Sequence, residues 1–91
     1  MAVQLISYDL RKPGRNYDDV YEAIKKIGTW WHCLESVWLV KTNSSSGDIR
    51  NHLKQFIDKN DDLVVFGLNG NWATYGLSDD CNNWLRNNLA A

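Results

Sequence analysis

No apolar run in this 91-residue chain approaches the length of a membrane span. Its first residues carry neither the basic start nor the long apolar core of a secretory leader. Both absences point to a cytoplasmic protein with no membrane partner. Cysteine is scarce. Cys33 and Cys81 stand far apart and form no CxxC pair, so two buried thiols are expected rather than a disulfide or a metal site. A surplus of positive charge is missing too. The formal net charge of −1 argues against the broad positive surface of a general nucleic-acid coat, while leaving room for a local basic patch. The segment "NSSSGD" lacks the Walker lysine, so there is no glycine-rich phosphate loop. His32 and His52 show no spacing of a zinc site or a catalytic pair. Repeats, linkers and low-complexity segments are absent, and residues 1–91 read as one domain. A chain this small buries a modest core and often gains stability from a partner.

What is present is a regular succession of short elements. "VQLISY", Val3 to Tyr8, is rich in β-formers and predicts a first strand. Leu10 to Asn16 contains Pro13 and Gly14 and reads as a loop. Asn16 then caps a helix whose first turn holds Asp18 and Asp19, where the helix dipole favours anions. Tyr17, Val20, Ile24 and Ile27 form its apolar stripe, and Gly28 suits its end. The run "TWWHCLESVWLVKT" is too long for one ordinary strand, and Glu35–Ser36 divides it into a hairpin. A tight turn there pairs Leu34 with Val37, Cys33 with Trp38 and Trp31 with Val40, placing Trp31, Cys33, Trp38 and Val40 on one face. Ser45 and Asp48 resemble a capping box ahead of a helix with Ile49, Leu53, Phe56 and Ile57 on its stripe. Leu63 to Leu68 is the fourth strand. Asn69–Gly70 suits a hairpin turn, and "WATYGL", Trp72 to Leu77, returns as a fifth strand. Ser78 caps a last helix with Cys81, Trp84, Leu85 and Leu89 on its buried side.

The order βαββαββα predicts an α+β fold. Its first six elements match a ferredoxin-like split βαβ sandwich, extended by an extra hairpin strand and a C-terminal helix. A sheet with one wet face should alternate apolar and polar residues, and "LVVFGL" does not. Both sheet faces are therefore expected to be covered. A second copy of the chain, in a homodimer joined through a sheet face or edge, is the favoured cover. The alternative is that the last helix folds back within one chain.

"SYDL" at the end of the first strand, "ESVWLV" in the third and "DDLVVFGLNG" at the fourth resemble the small CRISPR-associated nuclease family, Cas-two. The block "GTWWHCLESVWLV" is closest in flavour to its SinR-like branch, and the virulence-associated protein D toxins share the architecture. The resemblance covers about the first seventy residues in outline. It implies a homodimer in which the Asp ending the first strand, here Asp9, is the metal ligand and faces its twofold copy. It also implies either metal-dependent cleavage of RNA or double-stranded DNA, or a structural role in antiviral defence complexes that needs no nuclease. Three departures stand out. Leu34 occupies a place where the family often has Gln, the chain is slightly acidic, and its C-terminal segment reads as a helix.

The chemistry follows from the strand end. Magnesium needs several oxygen ligands, so two Asp9 carboxylates across a twofold axis make a better site than one. Mg²⁺ or Mn²⁺ held there would polarise a phosphate and activate water. Arg11, Lys12 and Arg15 would hold neighbouring phosphates, and the Ser36 hydroxyl, near the hairpin turn, would assist. Against this stands a plain reading in which Asp9 forms a turn and pairs with Arg11. Carboxylates locked in salt bridges would favour a non-catalytic interaction module, and toxicity dependent on Asp9 would favour a toxin-type ribonuclease. Asp61–Asp62 and Asp79–Asp80 are weaker candidates, reading as residues that precede a strand and charge a helix start. Among the tryptophans, Trp31 and Trp38 fit a core, while Trp30 and Trp72 are better placed to be exposed and to stack unpaired bases.

Overall fold

The computed structural model describes residues 1–12 and 17–89. The elements are β1 (Ala2–Asp9), α1 (Asp18–Lys25), β2 (Thr29–Leu34), β3 (Val37–Thr42), α2 (Ser46–Leu53), β4 (Asp62–Leu68) and α3 (Asp79–Asn88). A 3₁₀ turn at Lys54–Phe56 follows α2 directly. The four strands form one antiparallel sheet in the order β2-β3-β1-β4. The fold is thus α+β, with three helices packed on an antiparallel sheet. The expected cap at Asn16 lies outside the described residues. Ser45 and Ser78 do cap α2 and α3, accepting hydrogen bonds from the backbone N–H of Asp48 (3.1 Å) and Cys81 (3.2 Å).

Strand alternation divides the apolar residues between two cores. Ile6, Trp38 and Val40 face α1 and α2, where they meet Val20, Ile24, Ile49 and Leu53. Val3, Trp31 and Leu39 face the other way and meet Leu85 of α3 and Leu89 at its C-terminal cap. The β1–β3 part of the sheet therefore has two covered faces, whereas β4, whose "LVVFGL" run raised the expectation, leaves Val64 and Phe66 on an open second face. The second cover is the chain's own last helix, the alternative to a second copy. It leaves Leu34, Val64 and Phe66 exposed, at 49%, 41% and 55% of their surface. Those values matter because they mark where α3 stops covering the sheet.

Three details depart from expectation. The hairpin turn at Glu35–Ser36 forms and Leu34 pairs with Val37, but Trp31 pairs with Leu39 and Trp30 with Val40. An irregularity between Trp31 and Leu34 shifts the register. A one-residue shift moves side chains to the opposite face, so Trp31 and Cys33 share the α3 core while Trp38 and Val40 lie in the other. The expected fifth strand at Trp72–Leu77 does not form, and Asn69–Gly70 makes no hairpin. The Asn69 side chain instead accepts from the Asn71 backbone N–H at 3.3 Å, and Gly76 takes a left-handed φ of 83°. Trp72 and Leu77 pack into the second core, and Trp72 Nε1 donates to the Leu89 carbonyl at 2.8 Å. Burying these two side chains while the chain crosses to α3 replaces the ladder a hairpin would have made. Finally, Cys33 and Cys81 are not separate thiols: they form a disulfide, Cα atoms 6.3 Å apart, that ties β2 to α3. Sequence distance hid the pairing because only the fold brings the two elements together.

Candidate functional site

The last pair in the β1–β4 ladder is Asp9 opposite Asp62. Residues directly opposite on neighbouring antiparallel strands point to the same face, so the two carboxylates stand side by side at the end of the sheet. Arg11 bridges them. Its Nη2 lies 2.9 Å from Asp9 Oδ2 and its Nη1 2.6 Å from Asp62 Oδ2. Both carboxylate side chains are 67% exposed and the guanidinium side chain 50%. The Arg11 pKa is raised above its ordinary value, first by Asp62 and then by Asp9. Ion pairs this open to water are individually weak and salt-sensitive. The carboxylates are thus held by an exposed, salt-sensitive arm.

The neighbour of Asp62 does the opposite work. Asp61 turns inward, where its carboxylate accepts from the Arg11 backbone N–H (2.7 Å), the Asp58 backbone N–H (2.8 Å) and the Tyr17 hydroxyl (2.9 and 3.0 Å). The same hydroxyl accepts from the Lys12 backbone N–H at 3.2 Å. Asp61 therefore pins the segment after β1 to the segment before β4, and so sets where Arg11 emerges. Lys12 Nζ reaches to 3.7 Å from Asp58 Oδ1 with its side chain 56% exposed.

Of the site residues expected from sequence, Asp9, Arg11 and Lys12 gather at this end of the sheet. Arg15 lies outside the described residues. Ser36 sits in the β2–β3 turn, one residue beyond the Ser7–Val37 pair, so it belongs to the same end of the sheet. No hydrogen bond joins Ser36 to Asp9 among the described residues. The sequence marks Asp62 less strongly than Asp9. Its signal in the sequence is an acidic pair at a strand start, which reads the same whether a residue faces a partner or only solvent. Trp30 is exposed at 44%, as anticipated, whereas Trp72 is half-buried and bonded to α3. His52 is an exposed helix residue, edge-on to Phe56 at 5.5 Å.

The donor set at Asp9 and Asp62 consists of carboxylate oxygens, the hard donors that Mg²⁺ and Mn²⁺ take, with room for water and phosphate oxygens beside them. Among the described residues there is no group of three or more His, Cys, Asp or Glu side chains placed to hold a metal ion. No helix among them is long and apolar enough to cross a membrane. No family model matches this chain, and no solved structure matches it.

Proposed function

We propose that this chain is a divalent-metal-dependent endonuclease of the Cas-two-like kind, acting on RNA or DNA, with Asp9 and Asp62 as the metal-binding pair. The observation that carries the reading is the Asp9–Asp62 pairing: two exposed carboxylates, one cation between them, at an open strand end. The strand order β2-β3-β1-β4 supports a ferredoxin-like arrangement, and the residue that the Cas-two resemblance names sits at its strand end. One chain supplies two carboxylates here, so the site does not depend on a twofold copy of Asp9.

When bound, Mg²⁺ or Mn²⁺ supplies Lewis-acid polarisation of the phosphate and a more acidic water. Arg11 has the planar fork that matches a phosphate's two oxygens, and it turns from the carboxylates to the substrate as their charge is taken up elsewhere. Lys12 adds a point charge for the next phosphate. Ser36 offers a hydroxyl from the hairpin turn. The exposed Val64 and Phe66, on the outermost strand, are the surface through which two copies pair in this reading.

A second reading has its own support. Arg11 already bridges both carboxylates in ion pairs, as in a site that serves only structure, and this favours a non-catalytic homodimeric assembly module. Incubating the protein with single-stranded RNA and duplex DNA, with and without Mg²⁺ or Mn²⁺, separates the two. Metal-dependent cutting by wild type that disappears in Asp9→Asn is the nuclease result. Equal background from both proteins means an assembly module.

A further inference from the structure

On the α1 face of the sheet, beside the β2–β3 turn, lies an aromatic cluster that the carboxylate site does not use. Trp38 is its floor. His32 stacks on it with ring centroids 3.7 Å apart and planes 6° apart. Trp30 and Tyr21 flank it at 5.5 and 6.3 Å. Trp38 Nε1 donates to the Tyr8 hydroxyl at 3.0 Å, and burial raises the Tyr8 pKa, so the ring stays a neutral phenol. Tyr8, Tyr21, His32 and Trp38, together with Lys25 and Glu35, border an open cleft of about 320 Å³.

The polar groups on this cleft differ in kind. His32 Nδ1 sits 3.0 Å from the Val37 carbonyl oxygen. Donating there leaves Nε2 of the neutral ring as an acceptor. Glu35 is an exposed turn residue whose carboxylate has no hydrogen bond or ion pair among the described residues. Lys25 is the cation of the cleft, 5.3 Å from the Trp30 ring centroid and 3.9 Å from Glu22. The cleft therefore combines stacking surface, a strong acceptor and a donor.

We propose that this cleft binds an unpaired guanine base of a single-stranded nucleic acid. This deepens the nuclease reading, on which it rests, by naming what the substrate strand presents. Guanine has two adjacent N–H donors beside a carbonyl oxygen on its pairing edge. A carboxylate accepts from both donors and an ammonium group donates to the oxygen, the chemistry Glu35 and Lys25 bring. Adenine, cytosine and uracil lack two adjacent donor positions. The exposed His32 ring, seated on the buried Trp38, supplies stacking, which every base accepts, so the preference comes from the edge and the affinity from the face. Base contacts of this kind specify a site, whereas phosphate contacts from Arg11 and Lys12 only position the strand. Tyr8 borders both this cleft and the shallow one beside Asp9 and Asp62; by strand alternation the two lie on opposite faces at the same end of the sheet, so a strand held by its base must turn around that end to reach the carboxylates.

The test separates binding from cleavage. Asp9→Asn protein in EDTA is titrated with two fluorescein-labelled eight-nucleotide RNAs, one all uridine and one with a single central guanine, and anisotropy is read. The guanine strand is expected to bind about tenfold tighter, the effect of a charge-assisted hydrogen-bond pair. Glu35→Ala is expected to collapse that difference, and His32→Ala to weaken binding of both strands. Circular dichroism confirms that each variant folds. Equal affinity for the two strands, or a preference that survives Glu35→Ala, overturns the assignment. Because neither readout needs cutting, the cleft can fail while the nuclease reading stands, and the reverse.

Discussion

Asp61 and Asp62 are chemically identical neighbours with opposite duties. One faces in and collects backbone and hydroxyl donors, while the other faces out beside Asp9. Asp61→Ala leaves the Arg11 and Asp58 N–H groups and the Tyr17 hydroxyl without this acceptor. A loss of about 1–3 kcal/mol in urea unfolding is expected. Asp62→Asn keeps size and shape at an exposed position, so its unfolding midpoint should match wild type. Tyr8 gives a pH-dependent signature. Its folded pKa is raised above 10.0, chiefly by burial, so the folded state holds the phenolic proton more tightly than the unfolded chain does. Below pH 10.0 both states are protonated and this group gives no slope. As pH rises past that value the unfolded tyrosine ionises first, and stability falls until the folded Tyr8 ionises too. Phenolate absorbance should therefore show a late-titrating component that shrinks by one tyrosine in Tyr8→Phe. A tyrosine set titrating uniformly in wild type would contradict the burial.

At the scale of elements, local chemistry made the helices and the central strands readable. Serine caps, acidic first turns and stripes such as Ile49 and Leu53 all act within a few residues. The β2 register was not readable, because the irregularity between Trp31 and Leu34 answers to both cores at once, and only the assembled sheet supplies that constraint. "WATYGL" has strand composition, yet its Trp and Leu are used to fill the space under α3. Asp9 was legible as a strand-end carboxylate, but its pairing with Asp62 depends on the β1–β4 register, which joins residues far apart in sequence. The same distance hid the Cys33–Cys81 link. That link closes a separation of 48 residues between β2 and the helix that covers the second core. Chain-entropy reasoning puts its worth at about 4 kcal/mol. The Cys33→Ser, Cys81→Ser protein should unfold at lower urea than oxidised wild type, and added reductant should move wild type toward the variant and leave the variant unmoved. Coincident curves for oxidised wild type and the variant would show that α3 does not need the tether.

For the molecule as a whole, one chain covers both faces of its sheet but leaves Val64 and Phe66 open on the outermost strand. If these residues join two copies, sedimentation should give twice the chain mass for wild type and the single-chain mass for Phe66→Lys. A monomeric wild type would remove the dimer from the proposal while leaving the one-chain carboxylate pair untouched. That pair is the central claim. The measurement that tests it most directly is the initial rate of metal-dependent RNA cleavage by wild type, Asp9→Asn and Asp62→Asn, at equal folded concentration. Loss of activity in both variants, by about a hundredfold or more as in removal of an electrostatic catalytic group, is the result the two-carboxylate site predicts. Wild-type cleavage retained by Asp62→Asn, or no metal-dependent cleavage by wild type, would contradict it.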